Sequence, residues 1–402
     1  MKIEKVFQVP GKWTVSSYYT LSPEAPDGSG RMVFAACDLD LGICSVYLFD
    51  AEGKILANFG HRKVESMFFH TGCWESWSPD SRYIYYQSGT LAAPSVSRYE
   101  IASGRIDTIR GVDLEGAPAS GEPIIGGLPG MLYGAGYGYN VYNPSLCPVP
   151  FEERDKHGIF EFRLDGSSPR LLYSVNDFLE VHPKHDELLA LDRELAKKYK
   201  RVCGLSLMAY CVRWDPAGEN FLVYFGNHCV VPERNEPRVS HIFTGKRNSK
   251  TLEFAFDVSG RGVHWSCQNS EKLLGFYRPE NEEKASIYCY NTTDKGFEKL
   301  VTPKFSGGHP SLSPVNPYLC VNDESPEECL KLWNTASGMV VDSIKLKCRI
   351  PGLVQQGTER NEKRCCHHPR FTSDGKYILS NFFDENNLCA IAKIRIPEEL
   401  VK

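Results

Sequence analysis

Nowhere in the 402 residues is there a run of the roughly 18 unbroken apolar side chains that a membrane helix needs. The opening residues, Met1-Lys-Ile-Glu-Lys-Val-Phe-Gln-Val-Pro, lack the apolar stretch and small-residue cleavage site of a secretory signal. An excess of one charge is missing too: 46 basic side chains face 50 acidic ones, a net charge of −4 that leaves no basic footprint for nucleic acid. There is no Walker A loop, no Gly-x-Gly-x-x-Gly opening a helix after a strand, and no Gly-x-Ser-x-Gly elbow. Fifteen cysteines are present, but their number is odd and several (Cys37, Cys211, Cys289, Cys320, Cys389) fall inside apolar runs. That pattern predicts buried, reduced thiols rather than a disulfide framework. The chain is expected to be a cytoplasmic globular protein without nucleic-acid or membrane partners.

What is present is a repeat. An aromatic residue or Leu precedes Ser/Asp-Pro or a near relative, then a turn and a short apolar run. The phrase occurs as Leu21-Ser-Pro-Glu before Met32, Trp77-Ser-Pro-Asp before Tyr83, and Trp214-Asp-Pro-Ala before Phe221. Weaker copies are Trp265-Ser-Cys-Gln before Leu273, Leu312-Ser-Pro-Val before Tyr318, and Phe371-Thr-Ser-Asp before Tyr377. Each reads as a strand end, a Pro/Asp/Gly turn, and a strand rich in β-branched and aromatic residues. Most copies recur at about the length of a four-stranded blade, and the interval from residue 86 to 213 leaves room for two blades. The fold class is all-β: one β-propeller domain over 1–402, seven-bladed, with eight blades as the alternative. Residues 185–200 break the pattern with helical spacing and no breaker, and predict a helix inserted between blades.

Histidines mark the ends of blade phrases: His70, His264 before Trp265, His309 before Pro310, and His367-His368 after Cys365-Cys366. Corresponding positions of successive blades converge on a propeller's central channel, so His264, His309 and the 365–368 group can meet. Imidazole and thiolate suit Zn²⁺ or Mn²⁺, and Cys365 and His368 at i, i+3 could share one ion. The expected metal ligands are therefore His264, His309, Cys365 and His368. A second group runs through Tyr137, Tyr139 and Arg154, where Tyr and His can move a proton and Arg can clamp an anion. Arg238, three residues before His241, adds a cation.

The blade phrases, with Gly308-His309-Pro-Ser-Leu-Ser-Pro and Arg364-Cys-Cys-His-His-Pro-Arg-Phe-Thr-Ser-Asp-Gly, resemble the β-propeller polysaccharide lyases, which include oligogalacturonate and ulvan lyases. The resemblance implies β-elimination of uronate-containing oligosaccharides or polysaccharides, leaving an unsaturated uronate end. From the oligogalacturonate branch it implies a metal held by His and Gln side chains on the uronate carboxylate. His309 and His368 look like two of those ligands, Cys365 falls where a Gln would, and Arg370 where a further His would. His264 resembles a His one blade earlier, as fourth ligand or catalytic base. From the ulvan branch it implies a catalytic set resembled by His70, Tyr139 (or Tyr137) and Arg154, with Gln87 in the neighbourhood of a second, carboxylate-neutralising His. Gln87, Tyr137, Arg238 and Trp74 are expected to contact substrate. Three readings stay open: a lyase for imported uronate oligosaccharides, a non-catalytic propeller that binds a glycan or protein, and a propeller enzyme of another class. What separates them is whether His70, Tyr139 and Arg154 share a cleft with the His264/His309/Cys365/His368 group.

Overall fold

The computed structural model describes residues 1–64, 71–90, 93–127, 149–227, 234–352 and 362–401. Its strands form seven blades around one axis, as the repeat predicts. Blade 1 holds Trp13–Val15, Met32–Asp38, Ile43–Phe49 and Ile55–Lys63, and blade 2 runs from Ser76–Trp77 to Ile106–Arg110. Blade 3 has three described strands, Ile124–Gly127, Gly158–Phe162 and Arg170–Ser174; inside them an irregular segment donates Asp113 N to Gly127 O at 3.1 Å. Blades 4, 5 and 6 begin with Met208–Trp214, Gly262–Cys267 and Ser311–Leu312, each followed by three antiparallel partners. Blade 7 combines Arg370–Phe371, Tyr377–Phe383 and Cys389–Arg395 with the N-terminal strand Lys2–Phe7, which pairs along Cys389–Arg395. The ring is thus closed by both ends of the chain. Ser16 N, donating to Asn381 Oδ1 at 2.9 Å, adds a polar tie between blades 1 and 7.

Alternating apolar residues of neighbouring blades bury one another, as sheet-on-sheet packing requires. On blade 4, Phe178 of the short helix Val175–Glu180 stacks on Phe225 at 5.1 Å between ring centroids, with Phe243 edge-on to both. The inserted helix lies at His185–Tyr199, within a residue of its predicted end, after that short helix, which is capped reciprocally by Ser174 and Asp177. It is held down by Leu188, Leu195 and the buried Asp192. Asp192 accepts from Gly204 N at 2.9 Å, Leu205 N at 2.8 Å and Arg154 Nη2 at 2.8 Å. All thirteen described cysteines are free, and all but Cys211 and Cys366 are buried, as expected. Among the described residues no helix is long and apolar enough to cross a membrane.

Candidate active site in the central channel

Five innermost strands share one local feature. Their last paired residues are Trp77, Trp214, Cys267, Leu312 and Phe371, and three positions earlier stand Trp74, Cys211, His264, His309 and His368. Four of these five take the left-handed conformation, with φ of 55°, 57°, 58° and 44° at Trp74, Cys211, His264 and His368. A side chain pays about 1–2 kcal/mol for that conformation, so it persists only where the surroundings enforce it. At Cys211 and His264 the ladder register also shifts, between Tyr210 and Arg213 and between Val263 and Ser266. Such bulges re-aim a side chain out of the regular alternation.

The result is one cluster drawn from most of the ring. The His264 and His309 rings lie 4.4 Å apart and nearly parallel, at 25°, and His368 stands edge-on to His309 at 4.4 Å. Tyr18 and Tyr19 of blade 1 fill the space between them. Tyr18 touches His368 at 4.9 Å, His309 at 5.7 Å and Trp74 at 5.4 Å; Tyr19 is 5.1 Å from His309. Arg213 completes the group from blade 4, its guanidinium 5.0 Å from the centre of the Tyr18 ring and 5.3 Å from that of Tyr224.

Hydrogen bonds fix the imidazole tautomers. His264 Nδ1 lies 2.5 Å from the Gly308 carbonyl, which can only accept, so Nδ1 carries the proton and Nε2 a lone pair. His309 Nδ1 faces Asp323 at 3.2 and 3.3 Å, and Asp323 also accepts the His309 backbone N–H at 2.5 Å, so Nδ1 of this ring carries a proton toward the carboxylate. Burial would raise the Asp323 carboxyl, but His309 and His367 beside it hold it well below the carboxylate range. Burial, with His309 and Arg213 nearby, lowers His264 to about 3 and keeps it neutral. Gly308 makes this packing possible: at φ 121° it brings its Cα so close that an added Cβ would lie 2.4 Å from the Asp323 carbonyl oxygen.

The predicted residues divide clearly. His264, His309 and His368 come together, and Trp74 joins them through Tyr18. Cys365 does not: it is buried in the apolar cluster with Trp13, Cys348 and Cys389, where burial and Cys389 raise its thiol well above the ordinary range. The left-handed turn at His368 defeats the i, i+3 argument that put both on one ion. Arg154 does not join either; its guanidinium docks the inserted helix through Asp192 and the Leu205 carbonyl at 3.0 Å. Gln87 is buried, donating to Asp113 Oδ1 at 3.1 Å, and Arg238 is exposed ahead of the strand Ser240–Lys246. His70, Tyr137 and Tyr139 lie outside the described residues. Sequence reasoning missed Tyr18, Tyr19, Arg213 and Asp323. The three-residue offset from the blade phrase was the available signal for Tyr18, which stands three before Leu21.

The donor set does not fit a resident divalent ion. The two further positions that would complete a ligand set are otherwise engaged: Cys365 is in the core, and Arg370 donates to the Tyr19 carbonyl at 2.9 Å. Among the described residues no group of three or more His, Cys, Asp or Glu side chains could hold a metal ion.

No family model matches the chain, and no curated protein matches it in sequence. Solved structures do. An oligogalacturonate lyase from Vibrio parahaemolyticus aligns with a TM-score of 0.59 at 12% identity, covering 100% of this chain and 98% of its own. An oligogalacturonate lyase in complex with manganese aligns with a TM-score of 0.58 at 13% identity, covering 100% and 96%. A prolyl endopeptidase aligns with a TM-score of 0.54 at 10% identity over 96% of this chain and 48% of its own. At such identities the likeness is one of fold: the chain is a seven-bladed β-propeller of the kind seen in oligogalacturonate lyase structures.

Proposed function

We propose that the protein is a lyase that cleaves uronate-containing oligosaccharides by β-elimination at the channel cluster. The observation that carries this reading is the meeting of His264, His309 and His368, from three consecutive blades, with two of the rings oriented by their Nδ1 partners. The C5 proton of a uronate becomes removable once the neighbouring carboxylate is neutralised. An imidazole whose Nδ1 is held by a buried carboxylate, His309 on Asp323, is placed to take it through Nε2. Loss of the glycosidic oxygen from C4 then leaves a C4–C5 double bond, with a proton delivered to the leaving oxygen. The fold of the oligogalacturonate lyase structures supports the substrate class.

A second reading, a propeller that binds without catalysis, is favoured by the burial of Tyr18, Tyr19 and Trp74, which pack across the cluster. One assay separates the two. The full chain is incubated with a panel of uronate oligosaccharides while the ultraviolet absorbance of an unsaturated uronate is followed. A rise that is lost in His309→Ala and kept in His70→Ala places the base in the channel; the reverse places it at His70. No rise on any substrate from folded protein rejects the lyase.

A further inference from the structure

The cluster holds a buried cation that is only partly answered by the described residues. Arg213 is 7% exposed. Its Nη1 donates to the Trp265 carbonyl at 2.6 Å, while its Nε has no hydrogen-bond partner among the described residues. Its acidic neighbour is Glu115, and the closest approach, Nε to Oε2, is 3.7 Å, too long for a hydrogen bond. Both Glu115 oxygens are buried and without a hydrogen-bond partner among the described residues. Burial pushes this carboxyl up, against the pull of Arg213 beside it. The remaining contacts are the faces of Tyr18 and Tyr224. Removing a guanidinium from water is costly unless its donors are met and its charge is paired. Planar, with donors arranged as a fork, the group matches a carboxylate bidentately.

Two positions where the resemblance implies metal ligands carry instead a core thiol, Cys365, and a second guanidinium, Arg370, bonded to the Tyr19 backbone. We infer that the positive charge this site presents to a carboxylate is the Arg213 guanidinium, in place of a divalent ion. The identity of that carboxylate as a uronate rests on the lyase reading above. The inference concerns binding alone and holds whether or not elimination follows.

Calorimetric titration of the full chain, after dialysis against a chelator, tests it. Manganese chloride and zinc chloride are each titrated alone, followed by trigalacturonate with chelator present. The expected result is no saturable heat from either metal and saturable binding of trigalacturonate that metal does not strengthen. Arg213→Lys, which keeps the charge and loses the fork, should weaken that binding about tenfold or more. Cys365→Ala should leave it within about twofold, a control that decides against a ligand role for Cys365 even if the Arg213 variant does not fold. Stoichiometric metal binding abolished by His368→Ala overturns the inference, as does trigalacturonate binding that chelator removes and manganese restores. Failure of the chelated protein to bind any carboxylate overturns it as well. Arg213-dependent binding without metal and without turnover would reject only the lyase reading.

Discussion

Lowering the pH from 7 to 5 should strain one part of this fold measurably, a chain of hydrogen bonds beside the inserted helix. The Lys184 backbone N–H donates to His182 Nδ1 at 2.9 Å, so the ring proton sits on Nε2 and points to His241 Nδ1 at 2.7 Å. His241 Nε2 in turn faces Asp257 Oδ1 at 3.6 Å. Every ring nitrogen of this pair is assigned, and none is left to take another proton. Burial first, then His241 and Lys184, lower His182 to about 4. The unfolded chain, with a value near ~6.5, holds more protons between about 4 and 6.5. Stability therefore falls as pH drops through that window and levels off below it. Between pH 7 and 5 the loss from this single ring is about 2 kcal/mol. His157, fully buried and lowered by burial to about 4, adds a loss of similar size with the same sign. Urea unfolding at the two pH values measures the total. His182→Phe fills the space beside Phe243 and Phe254 without a titrating group. The variant should start less stable at pH 7 and lose about 2 kcal/mol less than wild type on acidification. Equal losses in the two proteins would refute the assignment.

Two further outcomes follow from the packing. Arg154→Ala removes one partner of a largely buried ion pair and leaves Asp192 with backbone donors only; unfolding stability should drop by about 3 kcal/mol while turnover per folded molecule is unchanged. Lost turnover at unchanged urea midpoint would return Arg154 to the active site. Gly308→Ala puts a Cβ 2.4 Å from the Asp323 carbonyl oxygen at φ 121°, so it should cost about 3 kcal/mol and, by shifting the carbonyl that holds His264, reduce turnover. Wild-type stability and turnover in that variant would show that the channel relaxes more readily than its contacts imply.

Much of the architecture was legible because strands and turns are local. The Trp77-Ser-Pro-Asp and Trp214-Asp-Pro phrases fixed blade boundaries, and unbroken helical spacing located His185–Tyr199. The interval between residues 86 and 213 was harder to read because it holds the end of blade 2, the irregular blade 3 and the two described helices before blade 4. The site was legible only in part. His264, His309 and His368 announce themselves as a repeated residue type at a repeated place. Tyr18 and Arg213 share neither type nor phrase with them, and their role arises from contacts across the channel. Cys365 misled for a backbone reason: i, i+3 neighbours share a face on a helix, and the left-handed residue at 368 is no part of one.

The pairing of Lys2–Phe7 with Cys389–Arg395 sets an order of events during synthesis. The strand Lys2–Phe7 finds its hydrogen-bonding partner only once Cys389–Arg395 has been made, a highly non-local pairing. Six blades can assemble as the chain grows, each on the one before it, but the seventh must wait, leaving the edge at Cys389–Arg395 open until the amino-terminal strand returns to it. An open edge of this kind can also take the matching strand of another copy. The ring's last seam is therefore both the step that completes the fold and the place where two chains, made side by side, can exchange ends.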